Sequence, residues 1–302
     1  MKLLHFVKND RLHLGVQTDR GVLDVSEALA QFPAPAGLQL PTLVDEIIEG
    51  GTEALAALAS YLELVNEKGA AADSVWLRED ELTYGPCVSR PNKIICVGLN
   101  YRKHAEETNA PIPEYPILFN KFHNALAAHN DDVPLPKASS KVDYEAELVI
   151  VMGRKAKDVE QENALDYVFG YCNGNDLSAR DLQTRTAQWM LGKTCDKFSP
   201  IGPYVVTSDE VGNPNQLEIK CLVNGEVRQH SNTEDMIFHC DQIVSYISRH
   251  MTLVPGDLIL TGTPEGVVLG YPPEKQVYLQ DGDEVAIQIE KLGVLTNRMV
   301  AE

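Results

Sequence analysis

Basic residues are scarce in this sequence of 302 amino acids. It holds 26 Lys and Arg against 44 Asp and Glu, which gives a formal net charge of −18. Nucleic acids and anionic membranes bind clustered cations, so this deficit argues against both as partners. A small anionic substrate remains possible, because a local group of cations, metal and backbone donors can hold a carboxylate on an acidic protein whose exposed charges are screened beyond about 8–10 Å.

Long apolar runs and paired cysteines are also missing. No stretch approaches the roughly 18 apolar residues that cross a bilayer. Lys8 and Asp10 interrupt the N-terminus before a signal-like core can develop. We therefore expect a cytoplasmic protein without a membrane partner. The six cysteines are dispersed and form no C-x-x-C pair, which fits reduced thiols better than a zinc knot or a disulfide framework.

Apolar spacing and turn residues predict an α+β fold in which strands outnumber helices. Residues 1–88 are expected to form a small N-terminal α+β domain, and residues 89–302 a catalytic domain, because two prolines and a glycine punctuate segment 85–91. Strands are predicted at 3–7, 11–17, 22–25, 93–98, 117–119, 147–152 and 256–262, with a hairpin around Asn224-Gly225. Helices are predicted at 52–69, 158–171, 178–192 and 236–251.

Acidic residues at two strand ends are candidate metal ligands. Glu145 and Glu147 are two residues apart at the entry to the apolar run 148–152, so both side chains point to one face of a strand. The same spacing elsewhere in the chain is explained by a solvated surface. Asp176 follows another apolar stretch, where turn chemistry is the alternative. If the three join, they make an all-oxygen site that suits Mg²⁺ or Mn²⁺ better than zinc.

Two further segments carry candidate catalytic groups. His104 and Glu107 are three residues apart, so on a helical turn they would form a base with an orienting carboxylate; a charged, solvated turn is the alternative. Lys193 could equally be a surface lysine at a helix C-terminus. The loop around Thr263 could cradle a carboxylate with its backbone N–H groups, or it could simply be a turn.

Taken in order, these segments resemble the fumarylacetoacetate hydrolase superfamily. The resemblance covers about residues 90 to 300, and its motifs are KIICVGLNYRKHAEE at 93–107, DYEAELVIVMG at 143–153, NDLSARDLQ at 175–183, GKTCDKFSPIGP at 192–203, NGEVRQ at 224–229 and PGDLILTGTPEGV at 255–267. Two segments depart from the family's usual sequence: Phe122-His123-Asn124 after Lys121, and Thr194-Cys195-Asp196 after Lys193.

The resemblance implies a mixed β-sandwich roll that forms a homodimer and acts on a small anionic 2-oxo acid. It implies Mg²⁺ or Mn²⁺ held by Glu145, Glu147 and Asp176. It also implies a lid, which we place at residues 101–113 and call the lid segment, with the catalytic residues His104 and Glu107 on it and Lys193 opposite. Substrate would be bound by the side chains of Tyr101, Arg180, Gln183 and Thr263.

Three functions stay open at this point. The first is metal-dependent cleavage of a carbon–carbon bond in a 2-oxo acid, as in an acylpyruvate hydrolase or an oxaloacetate decarboxylase. The second is isomerisation of an unsaturated 2-oxo diacid of the 2-hydroxyhepta-2,4-diene-1,7-dioate type. The third is a non-catalytic metal-binding scaffold on the same fold, which the complete set of motif residues disfavours.

Overall fold

Strands dominate the computed structural model, which describes residues 1–302. In chain order the strands are β1 (Lys2–Lys8), β2 (Arg11–Thr18), β3 (Gly21–Asp24), β4 (Trp76–Leu77), β5 (Tyr84–Gly85), β6 (Ile94–Gly98), β7 (Ile117–Lys121), β8 (Leu126–Ala127), β9 (Asp132–Leu135), β10 (Val142–Asp143), β11 (Ala146–Met152), β12 (Val168–Asn175), β13 (Ser178–Ala179), β14 (Ser199–Thr207), β15 (Glu218–Val223), β16 (Glu226–Asn232), β17 (Leu258–Leu260), β18 (Glu284–Ile289) and β19 (Val294–Ala301).

The helices are fewer and mostly short. They are α1 (Val25–Gln31), α2 (Val44–Glu67), α3 (Arg102–Glu107), α4 (Arg180–Gln183), α5 (Met190–Lys193), α6 (Ser208–Val211) and α7 (Cys240–His250). None of them combines the length and the apolar character that crossing a membrane requires.

A twelve-stranded mixed sheet forms the centre of the molecule. Its main path runs β4-β3-β2-β1-β14-β12-β11-β17-β6-β7. Strand β11 is buried along its whole length, with Leu148 and Ile150 in one apolar core and Val149 and Val151 in the other. Burial on both faces explains why residues 148–152 of this strand are a continuous apolar run that does not alternate with polar residues.

A second sheet of five strands, in the order β16-β15-β18-β19-β9, packs beside β11 and β12. The hairpin predicted around Asn224-Gly225 joins β15 and β16 in it, and both turn residues have positive φ, as such a turn requires. Together the two sheets and the few helices confirm the strand-rich α+β fold.

The N-terminal segment extends the main sheet. Strand β1 pairs with β14, with Leu3 opposite Val205. The Asp45 carboxylate also accepts hydrogen bonds from the backbone N–H groups of Ser89 and Arg90, which ties α2 to the start of the following segment. The division into domains at residues 88 and 89 stays a prediction. The pairing of β1 with β14 joins residues from the two sides of this boundary.

Two of the predicted helices are wrong. Only residues 161–167 of the helix predicted at 158–171 are helical, as a 3₁₀ helix, and residues 168–171 belong to β12. The helix predicted at 178–192 is limited to α4 and α5. In the first case, pairing of β12 with β11 and β14 outweighs the local cap signal. The helix predicted at 236–251 begins later, at Cys240. The helix predicted at 52–69 begins as predicted, directly after the non-helical residue Gly51 (φ 58°), which separates it from the first helical segment of α2.

Candidate active site

Three buried carboxylates meet where β11 and β12 pair. Ala146 lies opposite Asn175 in the ladder, so Asp176 follows β12 directly beside Glu145, whose carbonyl accepts its backbone N–H at 3.0 Å. One carboxylate oxygen from each of Glu145, Glu147 and Asp176 lies within 4.8 Å of the others. Backbone pairing thus joins acidic residues 29 positions apart in the chain, as the metal-site prediction requires.

Three cations surround these carboxylates. Lys193 Nζ lies 2.9 Å from both Glu145 Oε2 and Asp176 Oδ2. Lys121 Nζ lies 2.5 Å from Asp176 Oδ1, and Arg180 Nη2 lies 2.7 Å from Glu145 Oε1. All three cationic side chains are buried, so these ion pairs are shielded from water and are stronger than surface pairs.

Glycine 192 allows Lys193 to reach the site. A Cβ on Gly192 would lie 2.5 Å from the backbone nitrogen of Gln183 and 2.6 Å from the Ala179 carbonyl oxygen, well inside van der Waals contact. Without that atom α5 packs directly against α4, and its last residue, Lys193, points inward. A surface position for Lys193, the alternative in the sequence, does not occur in the structure.

The pKa values of two of the carboxylates, Glu145 and Glu147, shift in opposite directions. Burial alone would raise the pKa of Glu145, but Lys193 and Arg180 outweigh burial and hold that pKa at about 2. Glu147 has no cation in ion-pair contact, so burial and repulsion from Asp176 and Glu145 raise its pKa well above the usual range. Its Oε2 accepts one hydrogen bond from the Gly262 backbone N–H, at 2.8 Å. Glu147 is therefore the one of the three carboxylates that no cationic side chain contacts as an ion pair.

The donor set fits a hard divalent cation. The three residues offer only carboxylate oxygens, the ligands that Mg²⁺ and Mn²⁺ prefer, and no sulfur or imidazole lies in the group. A divalent cation beside Glu147 would favour the charged form of that carboxylate, which no ion pair with a side chain stabilises.

The His104–Glu107 pair closes the cavity above the carboxylates. On α3, His104 Nδ1 lies 2.8 Å from Glu107 Oε1. Because a carboxylate only accepts hydrogen bonds, Nδ1 carries the proton, and Nε2 is left as the acceptor. The other oxygen of Glu107 accepts the Gly266 backbone N–H at 2.9 Å. The predicted dyad is thus assembled, with Glu107 bridging the lid segment and the loop after β17.

A cavity of about 200 Å³ joins these groups. Its polar walls include the side chains of His104, Glu145, Glu147, Arg180, Gln183, Lys193 and Thr263. Gln183 Oε1 accepts a hydrogen bond from Arg180 Nη1 at 3.0 Å, and Thr263 Oγ1 accepts one from Gln229 Nε2 at 2.9 Å. Tyr101, directly before α3, is fully buried and does not line this cavity, and its assignment to substrate binding stays a prediction.

Apolar side chains line the cavity as well. They are those of Val97, Phe119, Trp189 and Leu269, with the Phe119 and Trp189 rings in an edge-to-face contact at 5.4 Å between centroids. Lys193 Nζ lies 5.0 Å from the centroid of the Phe119 ring, so charged and apolar surfaces adjoin in the cavity.

Comparison with protein families matches residues 93–300 to the fumarylacetoacetate (FAA) hydrolase C-terminal family. That range covers more than half of the chain. The protein belongs to the fumarylacetoacetate hydrolase family.

Individual relatives extend the match to the N-terminal residues. The mitochondrial oxaloacetate tautomerase of Homo sapiens is 41% identical over 293 residues, which cover 95% of this chain and 87% of that protein. A fumarylacetoacetate hydrolase from Exiguobacterium antarcticum is 33% identical with a TM-score of 0.81, and the match covers 100% of both chains. A maleylpyruvate hydrolase from Sphingobium, solved with manganese(II) ion and pyruvate, is 29% identical with a TM-score of 0.78, covering 100% of this chain and 99% of that one.

Sequence reasoning does not identify several residues of this site. Lys121 has no assigned role in the sequence analysis, although it ends a strand that begins with three apolar residues, Ile117 to Phe119. Asp143 and Gln229 were missed as well: Gln229 Oε1 accepts the Ala146 backbone N–H at 2.9 Å. Their roles depend on contacts distant in the chain, which local patterns do not show.

Proposed function

We propose that this protein is a divalent-metal-dependent enzyme that interconverts a 2-oxo acid with its enol. The observation that carries the proposal is the placement of one imidazole, His104, in the same cavity as two carboxylates, Glu145 and Glu147, and two cations, Arg180 and Lys193. Loss of a proton from the carbon beside a carbonyl requires a base at that carbon and positive charge near the carbonyl oxygen. This cavity offers both.

We propose that Glu145, Glu147 and Asp176 hold Mg²⁺ or Mn²⁺. When bound, the metal would supply Lewis-acid polarisation of the substrate's 2-oxo group. The buried acidic group supports a divalent ion here, and the relative from Sphingobium was solved with manganese(II) and pyruvate.

The protein's own side chains would divide the remaining work. His104 Nε2 would take a proton from C3 of the substrate and return one, while Glu107 fixes the ring and stabilises its protonated form. Lys193 would stabilise negative charge developing on the 2-oxo oxygen. Arg180 and Thr263 would hold the substrate's carboxylate, Arg180 with its orientation set by Gln183.

Keto–enol tautomerisation of oxaloacetate is the reaction that we place first. It needs one proton-transfer group, and His104 is the histidine that lines the cavity. The human relative named oxaloacetate tautomerase supports this choice, since its match covers most of both chains. Carbon–carbon cleavage of an acylpyruvate is the second candidate, supported by the maleylpyruvate hydrolase neighbour; it would use His104 to activate water.

A substrate panel tests the proposal. The purified protein, supplied with Mn²⁺, would be given enol oxaloacetate, acetylpyruvate and an unsaturated hydroxy diacid, each with and without EDTA, and products would be identified. The expected result is metal-dependent loss of the oxaloacetate enol at a rate above that of Mn²⁺ alone. No metal-dependent change in any of the three compounds would contradict the proposal and favour the scaffold alternative.

Assembly and location are proposals too. We propose a homodimer, because the apolar side chains of Phe122, Met190 and Leu191 are exposed beside the edge strand β7; light scattering tests this, and a monomer at micromolar concentration would contradict it. We also propose a cytoplasmic location; imaging of a C-terminally tagged chain tests it, and a mitochondrial signal would contradict it.

A further inference from the structure

Asp143 is buried beside the site and has no part in the chemistry described so far. It is fully shielded from solvent and lies on β10, opposite Ser178 of β13. Its Oδ2 accepts hydrogen bonds from Arg180 Nε at 2.8 Å and from the Leu269 backbone N–H at 3.0 Å. Its Oδ1 accepts the Val268 backbone N–H at 2.9 Å. One carboxylate thus joins a cavity cation to the loop after β17.

The loop that Asp143 holds is also the surface that receives the lid segment. Glu107 accepts the Gly266 backbone N–H, and its carboxyl carbon would lie only 2.5 Å from a Cβ on Gly270. Glu107 therefore fits against this loop only while residue 270 has no side chain and while the backbone at 266–270 keeps its present path. Asp143 fixes that path by accepting hydrogen bonds from two backbone N–H groups of the loop, those of Val268 and Leu269.

Arg180 is the other end of the same connection. Its guanidinium contacts Asp143 at Nε, Gln183 at Nη1 and Glu145 at Nη2. Without the charge on Asp143, the only carboxylate left to Arg180 would be Glu145, a proposed metal ligand. Asp143 thus keeps Arg180 at the cavity wall.

We propose that Asp143 is a positioning residue that couples docking of the lid segment to the placement of Arg180 for substrate binding. The statement about substrate rests on the proposed function, while the statement about the lid segment does not. Asparagine is the informative replacement, because its amide has one accepting oxygen where three donors now converge. Whichever way it is oriented, at least one buried donor loses its partner.

The test compares Asp143→Asn with Asp181→Asn in the full-length protein. Asp181 is the matched control: it also accepts hydrogen bonds from a neighbouring loop, at Ser139 and Ser140, and it does not line the cavity. Three quantities are measured: the Mn²⁺ dissociation constant, kcat and KM for oxaloacetate, and the rate of tryptic cleavage after Arg102 and Lys103 with Mn²⁺ and oxalate present. These two exposed basic residues place trypsin sites inside the lid segment.

For Asp143→Asn we expect KM to rise about tenfold or more, as for a lost hydrogen bond to a charged group, with a smaller change in kcat. Tryptic cleavage of the lid segment should become faster, and Mn²⁺ affinity should stay within about threefold of wild type. Asp181→Asn should match wild type in all three. Equal KM and equal cleavage rates in the two variants would overturn the proposal.

Gly270→Ala provides a second test that leaves Asp143 and Arg180 in place. The added Cβ would meet the Glu107 carboxylate, so tryptic cleavage should again become faster; cleavage at the wild-type rate would overturn the docking of Glu107 on this loop. If wild type turns over no oxaloacetate, the proposed function fails. In that case, the rates of tryptic cleavage measured with Mn²⁺ and oxalate still test whether Asp143 holds the lid segment.

Discussion

Replacing Glu147 by Gln removes one negative charge from the proposed metal site and keeps the side-chain shape. A ligand that binds only the folded protein stabilises it by about 2.7 kcal/mol at 100 times its dissociation constant. With an unfolding entropy of about 2.1 cal/mol/K per residue, 302 residues give roughly 0.6 kcal/mol per degree. Mn²⁺ at that concentration should therefore raise the Tm of the wild-type protein by about 4 °C.

The variant should lose nearly all of this shift. Changes to residues that only support metal ligands cost about 10–100-fold in affinity, so loss of a charged ligand should cost about 100-fold or more. The same Mn²⁺ concentration then equals or falls below the variant's dissociation constant, and the remaining stabilisation of about 0.4 kcal/mol raises the Tm by less than about 1 °C.

Thermal unfolding with and without Mn²⁺ measures the difference, and Glu162→Gln is the matched control. Glu162 is exposed and has the same two-residue spacing from Glu160 that Glu147 has from Glu145, so this variant should keep the full shift. A shift of about 4 °C in Glu147→Gln would refute the assignment of Glu147 as a ligand.

Three further predictions concern charge, proton transfer and pH. Lys193→Met should lower kcat for oxaloacetate about 10²-fold or more, because it removes a cation from a buried site; steady-state kinetics with saturating Mn²⁺ measures this, and an unchanged kcat would contradict it. His104→Ala should slow enol–keto interconversion about 10²–10⁴-fold and slow oxaloacetate decarboxylation less, so an unchanged ratio of the two rates would refute its role as the base. His5 accepts the Val44 backbone N–H at Nε2, and burial lowers its pKa below the usual 6.5; the folded protein therefore binds this proton less readily than the unfolded chain. Its contribution to stability should be complete above about pH 6.5 and decline as the pH falls towards the lowered pKa. Urea unfolding at about pH 7.5 and about pH 5.5 should show a smaller pH difference in His5→Gln than in wild type, and equal differences would count against this.

The parts of the site that could be predicted from the sequence are those set by local geometry. Glu145 and Glu147 share a strand face because side chains alternate along a strand, and His104 meets Glu107 because residues three apart are neighbours on a helix. Asp176 is different: its place depends on the register of β11 against β12, and the family resemblance supplied what local reasoning left open.

Long-range pairing also explains the wrong helix predictions and the site residues that the sequence does not identify. The helical signals at 158–171 and 178–192 were outweighed by strand pairing of β12 and by the contacts of Arg180 with Asp143 and Glu145. Lys121 and Asp143 have no local partner in the sequence that marks them, since their partners lie 55 and 37 residues away. A sequence pattern shows which residues are unusual in an apolar segment. Only the fold shows which ion-pair and hydrogen-bond partners those residues have.

Hydrogen exchange at C3 of pyruvate tests the central claim most directly, because it requires enol formation and no particular downstream reaction. The protein would be incubated with pyruvate and Mg²⁺ in D₂O, and deuterium in the methyl group would be measured by mass spectrometry. The account predicts deuterium incorporation that is faster than with Mg²⁺ alone, is abolished by EDTA and is lost in His104→Ala. Incorporation by the wild-type protein at the rate of Mg²⁺ alone would contradict it.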